Sequence, residues 1–157
     1  MRTVVTWLSW LLPQGLANWL LRRVARVGKE FFSANPQEFV DLLLEGMTWA
    51  FCLCRPFRRN LRGFHATYGF MTQDGAVAET VHFADGKMTR QKGLVPPQTV
   101  RVTFLTAKAL QGFLFSGNQD ILQPMLANEV AVEGNLNYVY KFAFMARDLV
   151  DRLGIEL

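Results

Sequence analysis

Cysteine, histidine and proline are scarce in this chain of 157 residues, which contains two, two and six of them respectively. The two cysteines, Cys52 and Cys54, lie one residue apart, too close for an ordinary loop-closing disulfide and too few for a structural zinc site. A small fold held together by disulfides is therefore excluded. The cysteine usage favours a reducing, cytosolic setting.

Charged residues are also few, at 19%, whereas half of the chain is hydrophobic. Low hydrophobicity with high net charge is typical of disordered chains, and a high glycine and proline content is typical of collagen, so both classes are excluded. The length suits one domain with a sizeable core.

Catalytic motifs are absent from the sequence, which has no glycine-rich phosphate loop, no H-E-x-x-H and no C-x-x-C. His65 and His82 fall in predicted strands without an obvious carboxylate as third ligand. We therefore predict no metal, no cofactor and no enzymatic activity. The competing enzyme hypothesis, a thioester or lipid-modifying activity, would need these histidines or Cys52 and Cys54.

Long uninterrupted hydrophobic runs are missing as well. The first 21 residues are interrupted by Pro13 and are followed by no small-residue cleavage pattern, so we expect no cleaved signal peptide. The run from Phe39 to Leu53 contains Asp41 and Glu45 and is shorter than the roughly 20 apolar residues of a spanning helix. The sequence predicts no transmembrane helix.

Charge is distributed unevenly along the chain. Residues 1–63 hold nine basic and four acidic residues, a net +5, whereas residues 64–157 hold eight and nine, a net −1. This asymmetry predicts an acidic surface partner, either nucleic acid or an anionic membrane leaflet. The membrane is favoured because no nucleic-acid reading motif is present and because tryptophan beside cationic residues suits a headgroup interface. The expected membrane-contact residues are Trp7, Trp10, Trp19, Arg22, Arg23 and Arg26. Alternatively, these N-terminal helices pack on the domain or on a second chain.

Helix signals dominate the first 60 residues. Pro13 suits the first turn of a basic amphipathic helix that runs to about Val27. Asn35 and Pro36 suit the start of a second helix, which the Arg55-Pro56 step closes.

After residue 63 the apolar period changes from helical to two. Asp74-Gly75 and Asp85-Gly86 separate three predicted strands as hairpin turns. Residues 100–104 and 129–133 alternate as two further strands. Thr106 and Asn135 are expected caps of a short helix and of a long final helix from Leu136 to Leu153. The order predicts an α+β fold with a five-stranded, mostly antiparallel sheet covered on one face by helices.

Two stretches carry a resemblance to a known family. V-R-V-T-F-L-T-A-K-A-L-Q-G-F-L-F-S-G-N-Q-D (100–120) and E-V-A-V-E-G-N-L (129–136) resemble the sterol carrier protein type 2 family over about residues 64–153. In that family a strand that ends in a Gly-Asn or Gly-Asp step leads into the final helix. We therefore divide the chain into an N-terminal helical, basic, Trp-rich extension, 1–63, and a sterol-carrier-like lipid-binding domain, 64–157.

The resemblance implies an apolar tunnel between sheet and helices that holds a fatty acyl, sterol-like or isoprenoid quinone-type lipid without chemistry. The residues that would line it are Phe104, Leu110, Phe113, Leu114, Met125, Leu126, Phe142 and Met145. By spacing alone, each of them also fits an ordinary filled core.

The sequence thus leads to a cytosolic lipid-binding and transfer protein that visits the inner face of the membrane. Two alternatives remain open at this stage. One is an accessory lipid carrier that serves a biosynthetic enzyme complex, and the other is a structural dimerisation module with a filled core, in which the N-terminal helices of two copies pack together.

Overall fold

The computed structural model describes residues 36–115 and 121–153. The predicted first helix and the expected membrane-contact residues lie outside these ranges. Within them, no helix is both long enough and apolar enough to cross a membrane.

The described chain begins with helix α1, Pro36–Leu53, followed by the short α2, Arg55–Arg58, and a 3-10 turn, Arg59–Leu61. Pro36 stands at the first helical position, where a missing N–H is harmless. Pro56 stands at the start of α2, which explains why α1 ends just before it. The predicted second helix is confirmed with its boundaries.

Five strands form one sheet in the order β3-β2-β1-β4-β5. Their bounds are β1 Ala66–Thr72, β2 Ala78–Ala84, β3 Lys87–Lys92, β4 Val100–Phe104 and β5 Val130–Gly134. Among the strand pairs of the described residues, only β1–β4 is parallel. The predicted five-stranded, mostly antiparallel sheet is confirmed.

The β2–β3 turn shows why Asp-Gly predicted a hairpin. Asp85 and Gly86 have φ angles of 51° and 69°, the paired positive values of a type I′ turn, whose twist matches that of the flanking strands. The β1–β2 connection is longer. There Gly75 has a φ of 72°, and the N–H of Ala76 donates to Asp74 Oδ1 at 3.0 Å.

The remaining helices are α3, Ala107–Phe115, α4, Leu122–Leu126, and α5, Leu136–Leu153. Thr106 Oγ1 accepts from the N–H of Ala109 at 3.2 Å, and Asn135 Oδ1 accepts from the N–H of Asn137 at 2.9 Å. Both predicted caps are therefore confirmed.

The backbone at position 134 explains why the Gly-Asn step begins with glycine. Its φ is +116°, and a Cβ built there would lie 2.7 Å from the carbonyl oxygen of Thr99. A glycine is required because β5 passes close to the start of β4 just before α5 begins.

One hydrophobic core joins the inner face of the sheet to α1, α3 and α5. The inner face carries buried side chains such as Tyr68, Val81 and Phe104. The outer face is polar, for example at Thr67 and His82. The core also includes Phe57 and Leu61, so it extends across the sequence boundary at residues 63 and 64.

Candidate functional site

Six of the eight expected lining residues lie buried between sheet and helices. They are Phe104, Leu110, Phe113, Leu114, Phe142 and Met145. Met125 is half-buried and packs against the same core. These seven side chains therefore belong to the core or pack against it, and whether they line a cavity stays a prediction.

Aromatic rings fill much of this interior. The ring centroid of Phe142 on α5 lies 4.6 Å from that of Phe70 and 5.3 Å from that of Tyr68, both on β1. Phe104 and Phe113 form a second contact at 5.8 Å. Burial raises the pKa of Tyr68, so its hydroxyl stays protonated and donates to the carbonyl of Tyr138 at 2.8 Å.

Leu126 differs from the other expected lining residues. Its side chain is 78% exposed, because it falls on the last turn of α4, none of whose residues is fully buried. The structure thus places Leu126 at the surface rather than in the interior.

Three exposed leucines lie on and beside α4. Leu122 and Leu126 are on the helix and Leu105 follows β4, and we call these three residues the α4 edge. Leu105 and Leu122 are 45% and 50% exposed. The backbone ties these segments together, since the N–H of Leu105 donates to Glu129 O and the N–H of Glu129 donates to Pro124 O. The α4 edge thus consists of three exposed leucines on segments that the backbone joins where β4 ends and β5 begins.

The histidines and cysteines do not converge. His82 Nδ1 lies 2.8 Å from Thr67 Oγ1, and His65 Nε2 lies 3.8 Å from Asp85 Oδ1. Cys52 and Cys54 are free thiols on α1 and at the start of α2. Within the described ranges, no three His, Cys, Asp or Glu residues are grouped so that they could hold a metal ion.

The four arginines between α1 and β1 have different surroundings. Arg55, Arg59 and Arg62 are exposed. Arg58 Nη2 instead donates to the carbonyl of Cys52 at 3.1 Å, so this guanidinium stabilises the C-terminal end of α1. Arg58 therefore has a structural role.

Sequence reasoning missed a polar cluster around one buried carboxylate. Glu79 on β2 is 5% exposed and lies on the core face of the sheet, near Arg90 on β3 and Asp41 on α1. A signal for it existed, because the alternation that points Val81 and Phe83 inward places residue 79 on the same side. No pattern links Asp41 to Arg90, which lie 49 residues apart.

Together these features define an α+β domain with an apolar layer between one sheet face and its helices. No protein-family model matches the sequence, and no curated protein sequence is significantly similar to it. Solved structures do resemble it. A sec-alkylsulfatase from a Pseudomonas species gives a TM-score of 0.51 at 17% identity, covering 62% of this chain and 16% of that one.

Proteins described as sterol carriers are also among the similar structures. The UbiJ-SCP2 ubiquinone synthesis protein gives a TM-score of 0.48 at 14% identity, covering 60% of this chain and 78% of that one. Sterol carrier protein 2 from Yarrowia lipolytica gives 0.48 at 13% identity, covering 72% and 88%. Solved structures that carry the description of the predicted family are thus among those that this chain resembles.

Proposed function

We propose that this chain is a non-enzymatic lipid-binding and transfer protein that holds an apolar ligand between its sheet and helices. The α4 edge is the observation that carries the proposal. Water contact with apolar surface is unfavourable by about 25 cal/mol per Å², yet Leu122 and Leu126 are at least half exposed. A lipid chain that enters beside α4 would cover them.

The surrounding residues suit such a ligand. Met125 on α4 is unbranched and flexible, and such side chains adapt to irregular apolar shapes. Pro124 removes a backbone N–H from α4 and keeps this helix short. The sequence resemblance to sterol carriers over residues 100–120 and 129–136 supports the same function, and carriage of a lipid requires no bond to be made or broken.

Native mass spectrometry of the purified protein, followed by lipid extraction, tests the proposal. We expect a co-purified lipid, or uptake of a pyrene-labelled fatty ester in titration. Leu126→Gln should weaken uptake without loss of stability, whereas Leu42→Gln on α1, also at an exposed position, should not. An unliganded dimer that binds no lipid would instead favour the dimerisation module.

We further infer that the N-terminal part docks the protein on anionic membranes. The net +5 of residues 1–63 and the exposed Arg55, Arg59 and Arg62 support this role. Each basic contact contributes about 1 kcal/mol near such a surface. Docking would let a lipid pass between membrane and protein without crossing bulk water.

Co-sedimentation with phosphatidylserine vesicles tests docking. Binding should weaken as salt shortens the Debye length from about 10 Å at 0.1 M to about 3 Å at 1 M. Replacement of Arg22, Arg23 and Arg26 by Gln should reduce binding. The matched control removes three exposed lysines, Lys87, Lys92 and Lys108, and should not. Salt-insensitive binding would contradict electrostatic docking.

A further inference from the structure

Glu79 is a carboxylate on the apolar face of the sheet. Its side chain is 6% exposed, and its cross-strand neighbour on β1 is the buried Phe70. Acidic side chains are almost never buried to this extent unless they are paired. Its partners therefore decide what this position can do.

The pairing of Glu79 is incomplete. Its Oε1 lies 3.9 Å from Arg90 Nη2, whereas its Oε2 is buried and has no hydrogen-bond partner among the described residues. Arg90 makes its short bonds elsewhere, with Nη1 to the carbonyl of Asp41 and Nη2 to Asp41 Oδ1, both at 2.7 Å. One buried acceptor atom is thus without a hydrogen-bond donor among the described residues.

The charges around Glu79 select the kind of group that fits there. Burial raises the pKa of Glu79 and the nearby Asp41 adds to this, while Arg90 and the exposed Lys92 oppose it. Arg90 is already engaged by Asp41, so a further negative charge would meet two carboxylates, this engaged guanidinium and the exposed Lys92. A neutral hydrogen-bond donor would satisfy Oε2 without that repulsion.

The position of Glu79 connects it to the apolar interior. Cross-strand pairs place Glu79, Phe70, Val102 and Val132 in one row across four strands. Three strand spacings of about 4.8 Å give this row a length of about 14 Å. Its far end is on β5, the strand that α4 contacts. A chain along this row would thus run from Glu79 toward the α4 edge.

We propose that Glu79 anchors the polar end of the ligand, which is an uncharged lipid with a hydroxyl group that donates a hydrogen bond to Glu79 Oε2. This assignment rests on the proposed function and narrows it to long-chain alcohols over ionised fatty acids. The alkyl chain then lies along the row toward α4.

Competition against the pyrene-labelled fatty ester tests the anchor with three ligands of equal chain length: dodecanol, dodecyl methyl ether and dodecanoate. The wild-type protein should bind dodecanol about tenfold more tightly than the ether, which cannot donate. Dodecanoate should bind more weakly than dodecanol. Low pH should shrink the preference for dodecanol over the ether, because protonated Glu79 supplies its own donor.

Variants complete the test. Glu79→Leu should abolish the preference for dodecanol, and Glu79→Gln, which keeps a neutral acceptor oxygen, should reduce it. Glu133→Leu, at an exposed glutamate on β5, is the matched control and should preserve it. If Glu79→Leu does not fold, the wild-type and Glu79→Gln measurements decide.

The outcomes separate the two proposals. Equal affinity of the wild-type protein for dodecanol and its ether overturns the anchor while lipid binding stands. Failure of the fluorescent ester itself to bind overturns the proposed function. A preference for dodecanol that survives Glu79→Leu also overturns the anchor.

Discussion

Phe142 distinguishes an interior that can admit a ligand from one that is simply filled. Its ring is 2% exposed and contacts the rings of Phe70 and Tyr68. Truncation to Ala removes these contacts and should lower the free energy of unfolding by about 3–5 kcal/mol. Phe144, two residues along α5 and 52% exposed, provides the control. Phe144→Ala should change stability by no more than about 0.5 kcal/mol.

A larger side chain at position 142 distinguishes a filled core from a ligand space. In a filled core, Phe142→Trp would cost about 1–3 kcal/mol through overpacking. Beside a space that receives a lipid, the indole should be accommodated at a smaller cost and should lower the affinity for the pyrene-labelled ester. Urea unfolding followed by circular dichroism, together with ester titration, measures both quantities. Destabilisation by Trp of about 1–3 kcal/mol, with unchanged lipid affinity, would refute the cavity.

Three further predictions concern stability, and urea unfolding tests each of them. Gly134→Ala should cost about 1–3 kcal/mol through its positive φ and close backbone contact, whereas Gly112→Ala, in open space on α3, should be neutral or stabilising. Tyr68→Phe should cost about 1 kcal/mol through loss of the bond to the Tyr138 carbonyl, and an unchanged stability would contradict this. The pKa of Glu79 is raised by burial, so the stability it contributes is present below the ordinary glutamate pKa of about 4.3 and is lost as pH rises through its higher folded value. Glu79→Gln should therefore gain stability relative to wild type as the pH rises above about 4, and a constant difference would refute the shift.

Local signals predicted the elements of this fold well. Proline and cap residues marked the starts of α1, α3 and α5, and the Asp-Gly step marked the β2–β3 turn. These features act within a few residues, so the sequence displays them directly. The sequence contains no comparable local signal for the pairing of strands that are distant along the chain. The parallel contact of β1 with β4 joins residues about 30 positions apart, and alternation alone does not show which strands are neighbours.

The candidate site could also be predicted only in part from local sequence patterns. Periodicity identified which faces of α3 and α5 are apolar, and it placed Phe113 and Phe142 inside. It could not show that Leu126 stays at the surface, because α4 is too short to have a fully buried face. The Asp41–Arg90 contact depends on α1 lying across β3, a tertiary arrangement that no local pattern determines.

A ligand that reaches from Glu79 to the α4 edge must also pass the residues between these two ends. Glu79 and the α4 edge lie toward opposite edges of the sheet. The row of residues between them includes Phe70 on β1. The ring of Phe142 covers Phe70 at 4.6 Å, so a chain along this row would displace that contact. Because α5 carries Phe142 and packs on α3, ligand entry requires rotation of the ring or a shift of these helices. Packed interiors resist such changes, and this resistance makes Phe142 the position at which a filled core and a carrier differ most.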